Sequence, residues 1–170
     1  YGPDGLSGFV LSAITFHMIS YAISGYTAFY SLILVENNLK STKISDFIGL
    51  SNQSPLLAMI FTCSLFSLAG LPIFSGFISK FYLFSSITHQ GFIWLAAIAV
   101  LASLVSLYYY LLVIRKFYTP KTEISDQNFN TSSSSFFLLC LLFILVILLG
   151  IFPSYLIDFF QTSQFVPGGI

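Results

Sequence analysis

One lysine stands out before anything else in the sequence. Lys80 lies in Ser75-Gly76-Phe77-Ile78-Ser79-Lys80-Phe81-Tyr82-Leu83-Phe84, near the centre of an apolar segment. With about eight residues to either end at 1.5 Å per residue, it sits about 12 Å from each end along a helix axis. A snorkelling lysine covers several ångströms, which falls short of that distance. A charged lysine at the centre of a membrane helix costs roughly 2.5–3.5 kcal/mol on the lenient insertion scale, and such residues normally face a protein or water cavity. Burial in a weakly polar medium disfavours the ammonium form of lysine in general, so such a group can gain and lose a proton near working pH. That is what a proton relay requires. The plain alternative is a lysine that snorkels or holds a lipid phosphate. Between Asp46 and Arg115 the other ionisable side chains are Cys63, His89 and tyrosines, so no carboxylate is at hand. A charged Lys80 is therefore expected to find its partner on another polypeptide.

Other polar residues are spaced to share a face. His17, Ser20, Tyr21, Ser24, Thr27 and Ser31 recur every three or four residues. This stripe reads either as a hydrated path with His17 as relay or as a helix–helix seam of small residues with His17 hydrogen-bonded inside it. Ala99, Ala102, Ser103 and Ser106 repeat the small-residue spacing and lead to Tyr108-Tyr109-Tyr110. Those tyrosines read as an interfacial belt or, with Ser79 and Tyr108, as the lining of a polar path to Lys80. Cys63 and Cys140 are isolated in apolar surroundings and behave as small hydrophobes. No Gly-rich phosphate loop, metal-ligand cluster or nucleophile–base pair is present, and no pattern suits a flavin, haem or iron–sulfur centre.

These residues need a membrane to make sense. Of the 170 residues, 56% are apolar and 7% charged, and six acidic residues balance six basic ones, with a mean hydropathy of +0.91. An ordinary soluble domain carries roughly 25% charged residues, and twelve charges cannot cover the surface of a chain this apolar. Disorder is excluded by 20 Phe and 10 Tyr. Nucleic-acid binding is excluded by the lack of clustered Lys and Arg. The fold class is all-α, a polytopic membrane protein.

Five apolar segments carry the spans, at about 6–35, 55–71, 73–87, 92–114 and 136–152, in one membrane domain over 1–170 with loops at 36–54 and 115–135. A bilayer core of about 30 Å takes about 20 helical residues. The segment 73–87 is short and follows Leu71-Pro72, where proline must stop or kink the helix before it. Short segments interrupted by Gly and Pro mark discontinuous helices at midplane sites, so a break around Gly76–Lys80 is one reading. A tight helical hairpin is the other. Ile44 to Leu50 fits a short interfacial helix, and Ser135 or a neighbour fits an N-cap. With five spans, the loop carrying Arg115, Lys116 and Lys121 shares a side with the N-terminus and opposes Lys40 and Lys43, which favours that loop on the cytoplasmic or matrix side. No basic n-region or cleavage site is visible, so no signal peptide is expected. The start at Tyr1 suggests a piece of something longer.

The run Phe66-Ser67-Leu68-Ala69-Gly70-Leu71-Pro72-Ile73-Phe74-Ser75-Gly76-Phe77-Ile78-Ser79-Lys80-Phe81-Tyr82 resembles the signature of the antiporter-like membrane subunits of respiratory complex I, and within them the chain 2 family of NADH:ubiquinone oxidoreductase. Ser106 to Tyr110 with Arg115, the residues Tyr21, Ala28 and Phe29, and Ser45-Asp46-Phe47-Ile48-Gly49-Leu50 are similar to that family too. Chain 4 usually has Glu where Lys80 stands. Chain 5 and cation/proton antiporter subunits can have Lys there with different flanks.

The resemblance covers nearly the whole chain but only the C-terminal part of the family protein. It implies a proton-translocating subunit in which Lys80 is the lysine of a discontinuous helix, with Gly70, Pro72 and Gly76 around the break. His17 departs from the family's aromatic and inherits no role. The resemblance also implies that this chain binds no cofactor, with NADH, FMN, iron–sulfur clusters and ubiquinone elsewhere in the complex. The implied partners are other complex I membrane subunits, including a separate chain with the missing N-terminal helices, and membrane lipids. Composition and resemblance point to the mitochondrial inner membrane, with the bacterial plasma membrane or thylakoid as alternatives. A cation/proton antiporter subunit without a redox partner, or a structural scaffold, are the competing functions.

Overall fold

The computed structural model describes residues 3–41, 43–120 and 132–164. These form α1 (Pro3–Leu39), a short 3-10 turn (Ile44–Phe47), α2 (Leu50–Gln53), α3 (Pro55–Ala69), α4 (Ser75–His89), α5 (Ile93–Tyr118), α6 (Ser133–Ile151) and α7 (Pro153–Gln164). The protein is all-α, and each of the five apolar segments becomes a helix. Among the described residues three helices are long and apolar enough to cross a membrane alone, within Gly8–Leu39, Ile93–Tyr118 and Ser133–Ile151.

Local chemistry sets the ends. Pro55 opens α3 at its first position, where its missing N–H costs nothing. Gly70 closes α3 in the left-handed region at φ 88°. The Gly70 N–H donates to the Phe66 and Ser67 carbonyls and the Leu71 N–H to Phe66, each at 3.0 Å. This is a Schellman-type stop, and Pro72 then forbids a quick restart. Residues 70–74 are the break. It lies before Gly76–Lys80, which sit inside the continuous helix α4, so the expected interruption is displaced towards the N-terminus.

With 15 residues each, α3 and α4 are only about 22 Å long, too short to cross singly. Their partners along α1 show how they are arranged. Leu57, Ala58, Phe61 and Leu65 of α3 share an apolar cluster with Ala28, Leu34 and Val35. Ser24 meets Ser67 at the end of α3 and Ser75 at the start of α4. His17 meets Ser79, Phe16 packs on Tyr82, and Phe9 packs on Tyr82 and His89. The α3 residues 57–65 thus cluster with 28–35 of α1, and from 67 to 89 the contacts on α1 run back from 24 to 9. A hairpin would have reversed direction at the break. The two short helices therefore lie end to end as one crossing, and Phe9 to Val35 measures about 39 Å, the thickness of a bilayer with its headgroup regions.

The C-terminal segment repeats this arrangement. Leu139, Cys140 and Phe143 join the first cluster, while Leu149, Leu156 and Ile157 join Phe16, Ile19 and Ile23. Helix α7, an amphipathic segment beyond the expected end at 152, thus continues the traverse of α6 after a proline kink at Pro153. Helix α1 also runs to Leu39, past the expected limit at 35.

Placing α3 and α4 in series changes the parity of the chain. The rings of Phe47 and Phe61 pack on Phe117, which puts the C-terminal end of α5 beside the loop after α1. Lys40, Lys43, Arg115 and Lys116 therefore share one end of the bundle, not opposite ends as five separate spans would require. His89 and Gly91 lie at the other end.

Candidate functional site

The break creates the site. The last turn of any helix leaves carbonyls without helical partners and carries the negative end of the helix dipole. In α3 the Phe66 and Ser67 carbonyls are taken up by the stop at Gly70. The next two are taken by the lysine. The Lys80 Nζ donates to the Leu68 carbonyl at 2.9 Å and to the Ala69 carbonyl at 3.1 Å. The side chain is half-buried and reaches back from α4 to cap α3 with a cation. Two backbone carbonyls of this chain receive the Lys80 amine.

Two glycines make that reach possible. A Cβ on Gly70 would stand 3.1 Å from Lys80 Cδ and 3.4 Å from Nζ, in a backbone conformation that L side chains avoid. A Cβ on Gly76 would overlap the Ser67 carbonyl oxygen and lie 2.6 Å from its carbon. Gly76 therefore lets the start of α4 press directly on the end of α3. Pro72 is exposed in the connecting turn, next to Ile73 at φ 85°, a conformation rare for a β-branched residue.

Hydroxyls fill the space where the two half-helices meet α1. Ser24 Oγ and Ser67 Oγ are 2.7 Å apart, and Ser67 Oγ and Ser75 Oγ 3.2 Å. The Gly76 N–H donates to Ser67 Oγ at 3.1 Å. Ser79 Oγ donates to the Gly76 carbonyl at 3.0 Å and faces His17 Nδ1 at 3.1 Å. Ser20 Oγ is buried with no hydrogen-bond partner. Beside this cluster a cavity of about 10 Å3 is lined by His17, Tyr21, Ser24, Ser67, Ser79 and Lys80, among others. That volume is about one water-sized sphere, in a setting with enough polar neighbours to hold one.

Of the residues singled out in the sequence, the structure brings together Lys80, Gly70, Gly76, Ser79 and His17. Tyr108 is not among them; it is 62% exposed on α5. The hydroxyl stripe of α1 is both seam and site, since it packs against α3 and α4 where Lys80 is held. Sequence reasoning missed Ser67, Ser75 and Gly150. A Cβ on Gly150 would overlap the Ile73 carbonyl oxygen and lie 2.8 Å from Phe74 C and Ser75 N, so α6 presses on the break from the other side. An isolated glycine within an apolar helix was the available signal. Among the described residues no group of His, Cys, Asp or Glu is placed to hold a metal ion.

Residues 6–106 match the family described as NADH:quinone oxidoreductase/Mrp antiporter, transmembrane. The chain belongs to this family. Relatives include NADH-quinone oxidoreductase subunit N of Desulfitobacterium hafniense, 34% identical over 165 residues that cover 96% of this chain and 33% of the relative. Subunit N of Trichlorobacter lovleyi is 40% identical over 153 residues, covering 89% and 31%. The chain thus spans about a third of the length of these curated relatives. A chain of the solved Mrp complex from Dietzia sp. DQ12-45-1b shares the family fold, with a TM-score of 0.71 over 91% of this chain and 37% of that one, at 21% identity. The family's helical membrane character agrees with the apolar helices described above.

Proposed function

We propose that this chain is the C-terminal part of a proton-translocating, antiporter-like subunit in the membrane arm of an NADH–quinone oxidoreductase, with Lys80 as its protonatable group. One observation carries the reading: the Lys80 ammonium bridges the two halves of a broken helix and lines a small polar cavity. An ammonium has three donors. Two are engaged by Leu68 and Ala69, and the third is left for the cavity. A proton leaving Lys80 passes by way of a cavity water to the His17–Ser79 pair, and the carbonyl ends of α3 favour its return. Gly70 and Gly76 hold the amine at this place, and Pro72 keeps the break open. The chain does no redox chemistry; NADH, FMN, iron–sulfur clusters and the quinone belong to other subunits, and a further chain supplies the helices present in the longer relatives. The bacterial relatives favour the plasma membrane over the mitochondrial inner membrane expected from composition.

Replacing Lys80 with Met in the assembled complex tests this. The change gives up two hydrogen bonds to a charged donor, roughly 1.5–3 kcal/mol each. It also removes roughly 2.5–3.5 kcal/mol of insertion cost. Assembly is therefore expected to survive while protons moved per electron fall. Unchanged pumping would refute the role of Lys80.

A second reading, a cation/proton antiporter subunit with no redox partner, is supported by the shared fold with a chain of the Mrp complex. Co-purification separates the two: a quinone-reducing assembly with flavin and iron–sulfur subunits supports only the first.

A further inference from the structure

At the end of the bundle that gathers the basic residues, a groove of about 720 Å3 runs between the loop after α1 and the last turns of α5. Arg115 and Lys116 form its rim. Ile44, Tyr109, Leu112 and Val113 form its wall, and among the described residues no Asp or Glu lines it. From Lys116 back to Tyr109 the groove descends about 10 Å along α5, within the roughly 15 Å of one leaflet's hydrocarbon. Lys40 and Lys43 lie at the same end. Of the carboxylates there, Asp46 receives the Ser41 and Ser45 hydroxyls.

We propose that this groove is a binding site for an anionic phospholipid, its headgroup on Arg115 and Lys116 and an acyl chain along Leu112 and Val113. The polarity runs in the direction of the membrane normal: cations at the surface, apolar side chains deeper. That gradient matches an amphiphile of negative charge. A free phosphate compound has no use for the apolar wall, and a zwitterionic lipid gains little from two cations when no carboxylate lines the groove among the described residues. Cations at a membrane surface attract anionic lipid with an energy that amounts to about fivefold in local preference per residue, hence roughly twenty- to thirtyfold for the pair. The site stands apart from Lys80 and does not depend on its role.

The experiment uses the purified complex in nanodiscs of phosphatidylcholine containing phosphatidylglycerol, with a fluorescent amino acid in place of Tyr109. Brominated acyl chains are placed on one lipid or the other, and quenching reports which lipid occupies the groove. Phosphatidylglycerol is expected to quench at a many-fold lower mole fraction than phosphatidylcholine. That preference is expected to collapse towards unity in R115Q/K116Q and to weaken in high salt. Equal quenching by the two lipids in the parent protein overturns the proposal. So does the absence of quenching by either, which means that polypeptide fills the groove.

Discussion

Gly76→Ala tests the contact on which the position of Lys80 depends. The added methyl meets the Ser67 carbonyl, backbone against backbone, with its carbon 2.6 Å away. Carbon–carbon contacts relax near 3.5–4.0 Å, so the start of α4 must retreat from the end of α3 by about 1 Å. The Gly76 N–H then leaves Ser67 Oγ. The Lys80 bonds, now 2.9 and 3.1 Å, are carried towards or past the usual limit of about 3.2 Å. Overpacking costs typically 1–3 kcal/mol, and the lost hydrogen bond about 1 kcal/mol. Alanine as a better helix former returns about 1 kcal/mol. The net loss expected is about 1–3 kcal/mol. Gly25→Ala provides the control, because a Cβ there has nothing within 4 Å and only the helix-propensity gain remains. The assay is the thermal midpoint of the assembled complex in membranes, together with protons moved per electron. G76A should lower both, and G25A neither. If G76A behaves like G25A in both measurements, the half-helices do not touch at Gly76 and the account of Lys80 placement fails.

Three further outcomes follow from the geometry. Cysteines introduced at Ser45 and Thr119 should be labelled from the same face of sealed vesicles and one at Gln90 from the opposite face; labelling of Ser45 and Thr119 positions from opposite faces would restore the hairpin. Ser67→Ala strips partners from Ser24, Ser75 and the buried Gly76 N–H, and should cost roughly 1–3 kcal/mol in thermal stability, whereas Ser106→Ala, whose hydroxyl bonds only to Ala102 in its own helix, should stay within about 0.5 kcal/mol. Ile73→Gly relieves a positive φ at a side chain that is 71% exposed, so it should raise the midpoint by an amount equivalent to about 1 kcal/mol; a fall would show that this backbone is not strained.

Hydropathy located the helices because continuous apolar runs interrupted by Gly, Pro and charge leave few alternatives. It did not reveal how α3 and α4 are stacked, since Leu71-Pro72 ends a helix equally well in a hairpin or in a broken crossing. The answer lay in long-range register: Ser24 of α1 meets both Ser67 and Ser75. Gly76 was legible as special, but for another reason than the one expected; it is a contact glycine, and Gly70 is the conformational one. Helix α7 escaped notice because the apolar run stops at Pro153, although Leu156, Ile157 and Phe160 have helical spacing. The partners of Lys80 were invisible to any scan of side chains, because Leu68 and Ala69 contribute only backbone oxygens. Their availability depends on where the helix stops, which Gly70 and Pro72 decide.

The Lys80 side chain starts on one half-helix and ends on the other, which makes it a tether across a gap. Its slack is only a few tenths of an ångström before a hydrogen bond is lost. On the proposed role of Lys80, gap width and the charge on the amine are thermodynamically linked, and linkage is reciprocal: whatever pries the halves apart alters the grip on the proton, and whatever removes the proton loosens the joint.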